Sequence, residues 1–301
     1  QLEAGAVYVG QFLVNSGLLV VGLGALAFAR SLWRSPFHAA LLVGVLAWAA
    51  YVALVGGDFM EFRFLVPALP PLAVLGARVF ALLTAALAPA ARRGALAALA
   101  VGLLGHSTLQ AASFQDHRWI ESTWALHDHV ARDGWNWIGM GEALARAFPQ
   151  GYDGPAIATT AAGAIPWASG LPTVDMLGLS DPWTARHGER LDRVGHRRLA
   201  TVDHLLDRGV ALMIGSPEPL PASEASRAPH RPNWAMATGP APSPEALAAL
   251  RRARSLTLAY GDGGMRLPMI YLTPDPRVDA AIAAGVLTDH GPAVWAGGEG
   301  P

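Results

Sequence analysis

The sequence predicts an α-helical transmembrane region of about four spans, followed by a small extracytoplasmic α/β domain. Three observations predict it. Four apolar runs approach the ~20 residues that a helix needs to cross a bilayer. Charges are sparse over residues 1–112 and concentrate after His117. From Pro155 onward, short apolar strands alternate with helical stretches. The 301-residue chain is 52% hydrophobic and only 15% charged, whereas ordinary soluble domains carry roughly 25% charge. Its mean hydropathy is +0.31. The composition shift divides it into residues 1–115, the membrane helices, and residues 116–301, the α/β domain with a flexible tail.

The first apolar run extends roughly from Val7 to Ala29, interrupted by Gln11, Asn15 and Ser16. The second covers about His38 to Val55, the third Phe64 to Leu87, and the fourth Ala95 to Ala112. Arg30 and Arg34 separate the first two runs, and Arg92 and Arg93 the last two. Basic residues favour the cytoplasmic side, so the loop at Asp58 and everything after the fourth run fall on the outer side. Arg78, inside the third run, is a functional candidate as an ionisable residue in a span, or else extends its long stem toward the cytoplasmic interface. His106 lies inside the fourth.

Gln115 to Arg118 lead out of the membrane, and Trp119, Trp124, Trp135 and Trp137 follow as an aromatic belt or as core residues of the next domain. Ser122–Ala131 and Trp137–Phe148 read as amphipathic helices divided near Asp133-Gly134. Ala156–Thr160, Thr173–Leu177 and Val210–Gly215 read as strands, and Arg197–Arg208 as a helix, which argues a largely parallel sheet. Ser180 or Asp181 can cap a helix that opens on Pro182. Residues 217–244 form a Pro-, Ala- and Ser-rich loop. Ser255–Tyr260 and Met265–Thr273 make a hairpin around Gly261–Gly264, and Asp275–Ala284 a last helix.

Composition excludes several classes. Net charge is −1, which gives no reason to expect nucleic acid as a partner. All 22 basic residues are Arg, a bias that fits a GC-rich coding sequence. Cysteine is absent, which removes disulfides, thiolate zinc sites and cysteine nucleophiles. The chain begins on Gln1 without a basic leader, and reads as the C-terminal part of a longer protein. No P-loop, GxGxxG or GxSxG is present, and no cofactor is indicated, divalent cations included.

Two polar constellations remain. Gly56-Gly57-Asp58 to Pro67 places Asp58, Glu61 and Arg63 between two apolar runs, at a membrane mouth where charges interact strongly. An ordinary short hydrophilic loop has the same composition. In the outer domain, Asp175, Asp181, Arg186, His187, Arg193, His196, Arg197 and Arg198 cluster after predicted strand ends, where α/β sheets place ligand crevices. Histidines there can do acid–base work and arginines can grip phosphate, but the spacing matches no metal motif. A capped helix beside a solvated Arg-rich loop also accounts for it.

The run Gly56-Gly57-Asp58-Phe59-Met60 with Arg63-Phe64-Leu65-Val66-Pro67 entering a span resembles the bacterial polytopic glycosyltransferases of the GT-C class. The particular likeness is to the family that includes the mycobacterial terminal β-(1→2)-arabinofuranosyltransferase. Ala162–Pro166, Val174–Asp181 and Gly195-His196 resemble the extracytoplasmic domain of the same proteins, and the likeness covers most of residues 50–215. The resemblance implies an inverting transfer of sugar from a polyprenyl-phosphate donor to a cell-envelope glycan or lipid. The reaction would take place on the outer face of a bacterial cytoplasmic membrane. It implies a further carboxylate in an upstream loop, so that this chain alone is inactive. Asp58 and Glu61 are then candidate catalytic carboxylates. Arg63, Asp175, Asp181, His187 and His196 are candidates for binding substrate and phosphate. A transporter subunit would carry more polar residues deep in its spans. A non-catalytic anchor displaying an envelope-binding domain would tolerate loss of Asp58 and Arg63.

Overall fold

A computed structural model describes residues 2–113, 120–131, 135–193, 196–225, 242–262 and 264–293. The chain divides into two compact units, Gln1–Thr123 and Trp124–Pro301. Several sequence readings lie outside the described residues: Gln115–Arg118, Trp119, the Asp133-Gly134 break, Gly195, Gly263, most of the 217–244 loop and the end of the tail.

The first unit is helical. It comprises α1 (Leu2–Asn15), α2 (Leu19–Ala27), α3 (Ala29–Trp33) and α4 (Pro36–Val55), then a 3₁₀ turn (Arg63–Ala68), α5 (Leu69–Leu83) and α6 (Pro89–Ser113). Pro36 opens α4 and the left-handed Gly56 closes it. Among the described residues, Pro36–Val55 and Arg63–Leu83 are long and apolar enough to cross a membrane, and only 6% of the former is buried. Large apolar side chains project outward, Leu54 by 64% and Val101 by 70%. Such outward apolar surface suits lipid rather than water.

The first expected span is broken instead of continuous: α1 and α2 meet at 91°. Ser16 Oγ donates to the Phe12 carbonyl at 2.5 Å and Gly17 takes φ +68, which ends the helical hydrogen-bond ladder. Counted as one span, the bent pair makes three candidates among the described residues, and α6, which carries the fourth apolar run, is not among them.

Helices α1 and α4 cross with their backbones nearly touching. A Cβ built on Gly5 would lie 2.1 Å from the Ala53 carbonyl oxygen, whereas one on Gly44 meets open space. Gly5→Val is therefore expected to lower stability by at least about 1–3 kcal/mol, the range for overpacking. Gly44→Ala should be near neutral. Unfolding midpoints in the same detergent decide it, and equal midpoints for the two variants would refute the close crossing.

The second unit carries α7 (Thr123–Ala131, beginning at the division), α8 (Trp137–Ala147), β1 (Ala156–Thr159), α9 (Ala164–Ser169), β2 (Thr173–Asp175) and α10 (Pro182–His187). There follow β3 (Glu189–Arg193), β4 (His196–Leu199), α11 (Val202–Asp207), β5 (Val210–Gly215), β6 (Leu220–Pro221) and α12 (Ala222–Ala225). The last elements are α13 (Pro244–Arg252), β7 (Arg254–Tyr260), β8 (Met265–Tyr271), α14 (Pro276–Ala283) and β9 (Leu287–Pro292). The main sheet has the order β2-β1-β5-β8-β7-β9, with β6 added to β8.

Only β2, β1 and β5 are parallel; β8, β7 and β9 are antiparallel. The sheet is thus mixed, not largely parallel. The expected hairpin supplies β7 and β8, and its pairing to β5 carries the antiparallel half into the same sheet. Apolar side chains cover both faces. Met140, Leu144 and Ile165 of α8 and α9 pack with Val278 of α14 on one face. Val202 and Leu205 of α11 pack with Ala246 and Leu250 of α13 on the other. A second correction concerns residues 197–208. Their first part is strand β4, paired antiparallel with β3, and the helix starts only at Val202 behind its Thr201 cap.

Candidate functional site

The Asp58 loop is built from both ends of the sequence around it. Gly56 (φ 93) and Gly57 (φ 72) turn the chain off α4. A Cβ on Gly57 would press on Tyr8 at 2.7 Å, so glycine lets the loop lie against α1. Phe62 takes φ 44, a strained conformation for a bulky residue. Its ring lodges between Tyr8 and Phe12, at 5.5 and 5.7 Å between centroids. That turn returns Arg63 onto Asp58.

Asp58 is 2% exposed. Arg63 Nε donates to one carboxylate oxygen, and Arg63 Nη2 (3.3 Å) and the Phe59 amide (2.9 Å) donate to the other. The Arg63 side chain remains 46% exposed, with its guanidinium 5.5 Å from the Phe59 ring and 5.4 Å from that of Phe64. Glu61 lies nearby with a different task. Its Oε2 accepts from the Thr123 amide at 2.8 Å, while its backbone amide donates to the Glu121 carbonyl at 3.0 Å. Tyr8, which sequence reading passed over, donates its hydroxyl to the Met60 carbonyl at 3.1 Å. A lone tyrosine in an apolar run was the signal available.

In the second unit, β1, β2 and β5 end side by side. Helix α9 leaves β1 on one face and α11 enters β5 on the other, so the connections diverge between β1 and β5, where open α/β sheets hold ligands. Thr159 and Thr160 hydroxyls both donate to the Gly215 carbonyl there, at 3.2 and 3.3 Å. Asp175, 2% exposed, spends its oxygens on its own loop. Oδ1 accepts from the Leu177 amide (2.9 Å), and Oδ2 from the Ser180 amide (2.5 Å) and hydroxyl (3.2 Å).

Asp181 caps α10 through the Thr184 amide at 2.7 Å and meets His204 Nε2 at 3.3 Å. Trp183 stacks on His204, with centroids 4.0 Å apart and planes 8° from parallel. Asp175, Asp181 and His187 thus share one loop and helix, where exposed His187 bonds the Trp183 carbonyl through Nδ1 at 3.2 Å. His196 sits on β4, which packs beside α10. Arg198 donates to the Gly188 carbonyl at 2.8 Å and closes the hairpin onto the end of α10. His204 was hidden in the sequence because its partner is 23 residues away. Among the described residues, no group of three or more His, Asp or Glu is placed to hold a metal ion.

Burial pushes the Asp181 carboxyl up, but the Thr184 amide and His204 outweigh it and hold the group below the usual carboxylate range. Arg277 lowers Asp275 in the same direction, against partial burial. A depressed folded pKa contributes stability above the unfolded pKa near 4, lost as pH falls through the folded value. Asp181→Asn and Asp275→Asn should each flatten the acid limb of a stability–pH curve. A wild-type slope in either variant would contradict the pairings.

A protein-family profile matches residues 116–259; it is described as a domain of unknown function, DUF8728. The match runs from ahead of α7 into β7, taking in the three parallel strands and leaving the Asp58 loop outside. No curated protein and no solved structure matches the chain.

Proposed function

We propose that this chain belongs to an integral-membrane glycosyltransferase of a bacterial cytoplasmic membrane. It would move a sugar from a polyprenyl-phosphate donor to a cell-envelope glycan or lipid on the outer face. The observation that carries the reading is Arg63. Its guanidinium is fixed by a buried carboxylate yet half open, at the junction of two helices apolar enough to span a membrane. Such a group suits the phosphate of a lipid-linked donor, whose tail needs apolar helices beside it.

In this mechanism the acceptor hydroxyl attacks the anomeric carbon and the bond from that carbon to the phosphate oxygen breaks. The phosphate leaves with the electron pair and Arg63 stabilises its charge. A carboxylate takes the hydroxyl proton. Asp58 is committed to Arg63 and acts as its positioning residue. Among the described residues Glu61 has a hydrogen-bond partner on Oε2 alone, which leaves Oε1 for the proton. With four spans and the basic loops inside, the Asp58 loop and residues after 115 face outward.

Two measurements test the proposal. The full-length protein, reconstituted and supplied with a polyprenyl-phosphate sugar, should lose at least about 100-fold in transfer on Arg63→Lys, at normal protein level. Near-wild-type transfer by Arg63→Lys removes Arg63 from the donor site, and absence of transfer by the wild-type protein favours the envelope-binding anchor. Single cysteines at Ser35 and Ser223 should label oppositely with an impermeant thiol reagent in intact cells. Equal labelling removes the topology.

A further inference from the structure

A second apolar feature runs along α5. Helix α6 stands off from its neighbours: most of its described residues are exposed, and His106 Nε2 reaches the Val14 carbonyl at 3.3 Å from its far half. Between α2, α5 and α6 this leaves a cleft of about 1130 Å³, just above the ~300–1,000 Å³ typical of small-molecule sites. Val21, Leu72, Gly76, Phe80, Leu99 and Leu103 line it, with Arg92 and Arg93 at one end.

Three properties point to one occupant. The walls are apolar, and a gap in hydrocarbon is filled by apolar chains because water is excluded there. The distance along α6 from Arg93 to Leu103 is ~15 Å at 1.5 Å per residue, half of the ~30 Å hydrocarbon core and so the depth of one leaflet. Among the described residues, the charges at the arginine end are not compensated by an acid, and α6 has no acid in its first turn. Arg93 only donates weakly to the Pro89 carbonyl, at 3.5 Å.

We propose that this cleft holds an anionic glycerophospholipid, with its phosphate on Arg92 and Arg93 and its acyl chains along α2, α5 and α6. Its arginine end sits at the ends of α5 and α6 remote from Asp58, while its apolar walls reach back to Leu69 and Leu72 at the start of α5. On the orientation proposed above it takes a lipid of the cytoplasmic leaflet, and it requires membrane insertion but not sugar transfer. The lipid fills the space that keeps α6 apart and acts as a structural ligand, not as donor.

The test uses the full chain purified from membranes in mild detergent. Native mass spectrometry and thermal shift are run with added phosphatidylglycerol, phosphatidylcholine or polyprenyl phosphate. Two arginines near a headgroup correspond to a preference of about 10- to 30-fold for phosphatidylglycerol over phosphatidylcholine. Arg92→Gln with Arg93→Gln should abolish that preference, and Arg92→Lys with Arg93→Lys should keep most of it. Gly76→Trp, which fills the cleft from α5, should remove retained lipid of either kind. Equal retention of both phospholipids by the wild-type protein overturns the proposal. So does displacement of phosphatidylglycerol by equimolar polyprenyl phosphate, which assigns the cleft to a carrier lipid. Lipid-free protein that crosslinks as a dimer across α6 assigns it to a second copy, with the same consequence. The wild-type comparison stands even if a variant fails to insert, and none of these readouts depends on the transfer assay.

Discussion

Arg63→Met is expected to destabilise the protein by about 3–5 kcal/mol, the cost of leaving a buried charge without its partner. The two members of the pair are not equivalent. The Asp58 side chain is 1% exposed and that of Arg63 is 46% exposed. Removing the arginine strands a carboxylate that water cannot reach, with only the Phe59 amide, among the described residues, left to serve it. Removing the charge from the acid leaves a guanidinium that turns to solvent. Asp58→Asn should therefore cost less than Arg63→Met, and Asp58→Asn combined with Arg63→Met should be more stable than Arg63→Met alone. Unfolding midpoints of the three variants in one detergent measure this. A double variant no better than the single would mean that Asp58 is not held as a buried anion. The same experiment separates structure from chemistry, because Arg63→Lys keeps the charge and loses only the planar fork.

Asp175→Ala should cost about 3 kcal/mol, for a different reason. Its carboxylate is the acceptor for three donors within five residues. A buried donor left unpaired costs roughly 1–3 kcal/mol. The loop that it closes also presents the Asp181 cap and Trp183, so the Trp183–His204 stack should loosen with it. Tryptophan fluorescence would follow the loosening, compared against Trp183→Phe, and chemical unfolding the stability. Stability within about 0.5 kcal/mol of wild type would show that water replaces the carboxylate and that the loop holds itself. Asp175→Asn, which keeps one acceptor oxygen, should fall between the two.

Local chemistry was legible in the sequence. Pro36 and Gly56 bracket α4, Asp181 caps α10 and Asp275 caps α14, as the residue types require. The hairpin of β7 and β8 follows from two apolar alternations around a glycine-rich turn. These signals act over four or five residues, and no distant partner can alter what they favour. The apolarity of residues 36–55 and 63–83 is likewise a sum over residues, so length and composition alone place those helices.

What tertiary structure decided is where distant segments meet. The bend at Ser16-Gly17 breaks an apolar run whose composition alone reads as continuous. Residues 196–199 carry no strong strand signal. They pair because β3 offers an edge and because the Ala200 amide bonds the Met176 carbonyl at 2.8 Å. Residues 254–271 form the same hairpin in any sheet, and only the contact of β8 with β5 makes the sheet mixed. The site divides along the same line. Sequence spacing brought Asp58, Glu61 and Arg63 together, but their separate tasks depend on burial and on Thr123, 62 residues from Glu61. A carboxylate reads alike in sequence whether it faces water or an arginine. Its surroundings, assembled from residues far along the chain, determine which of these it meets.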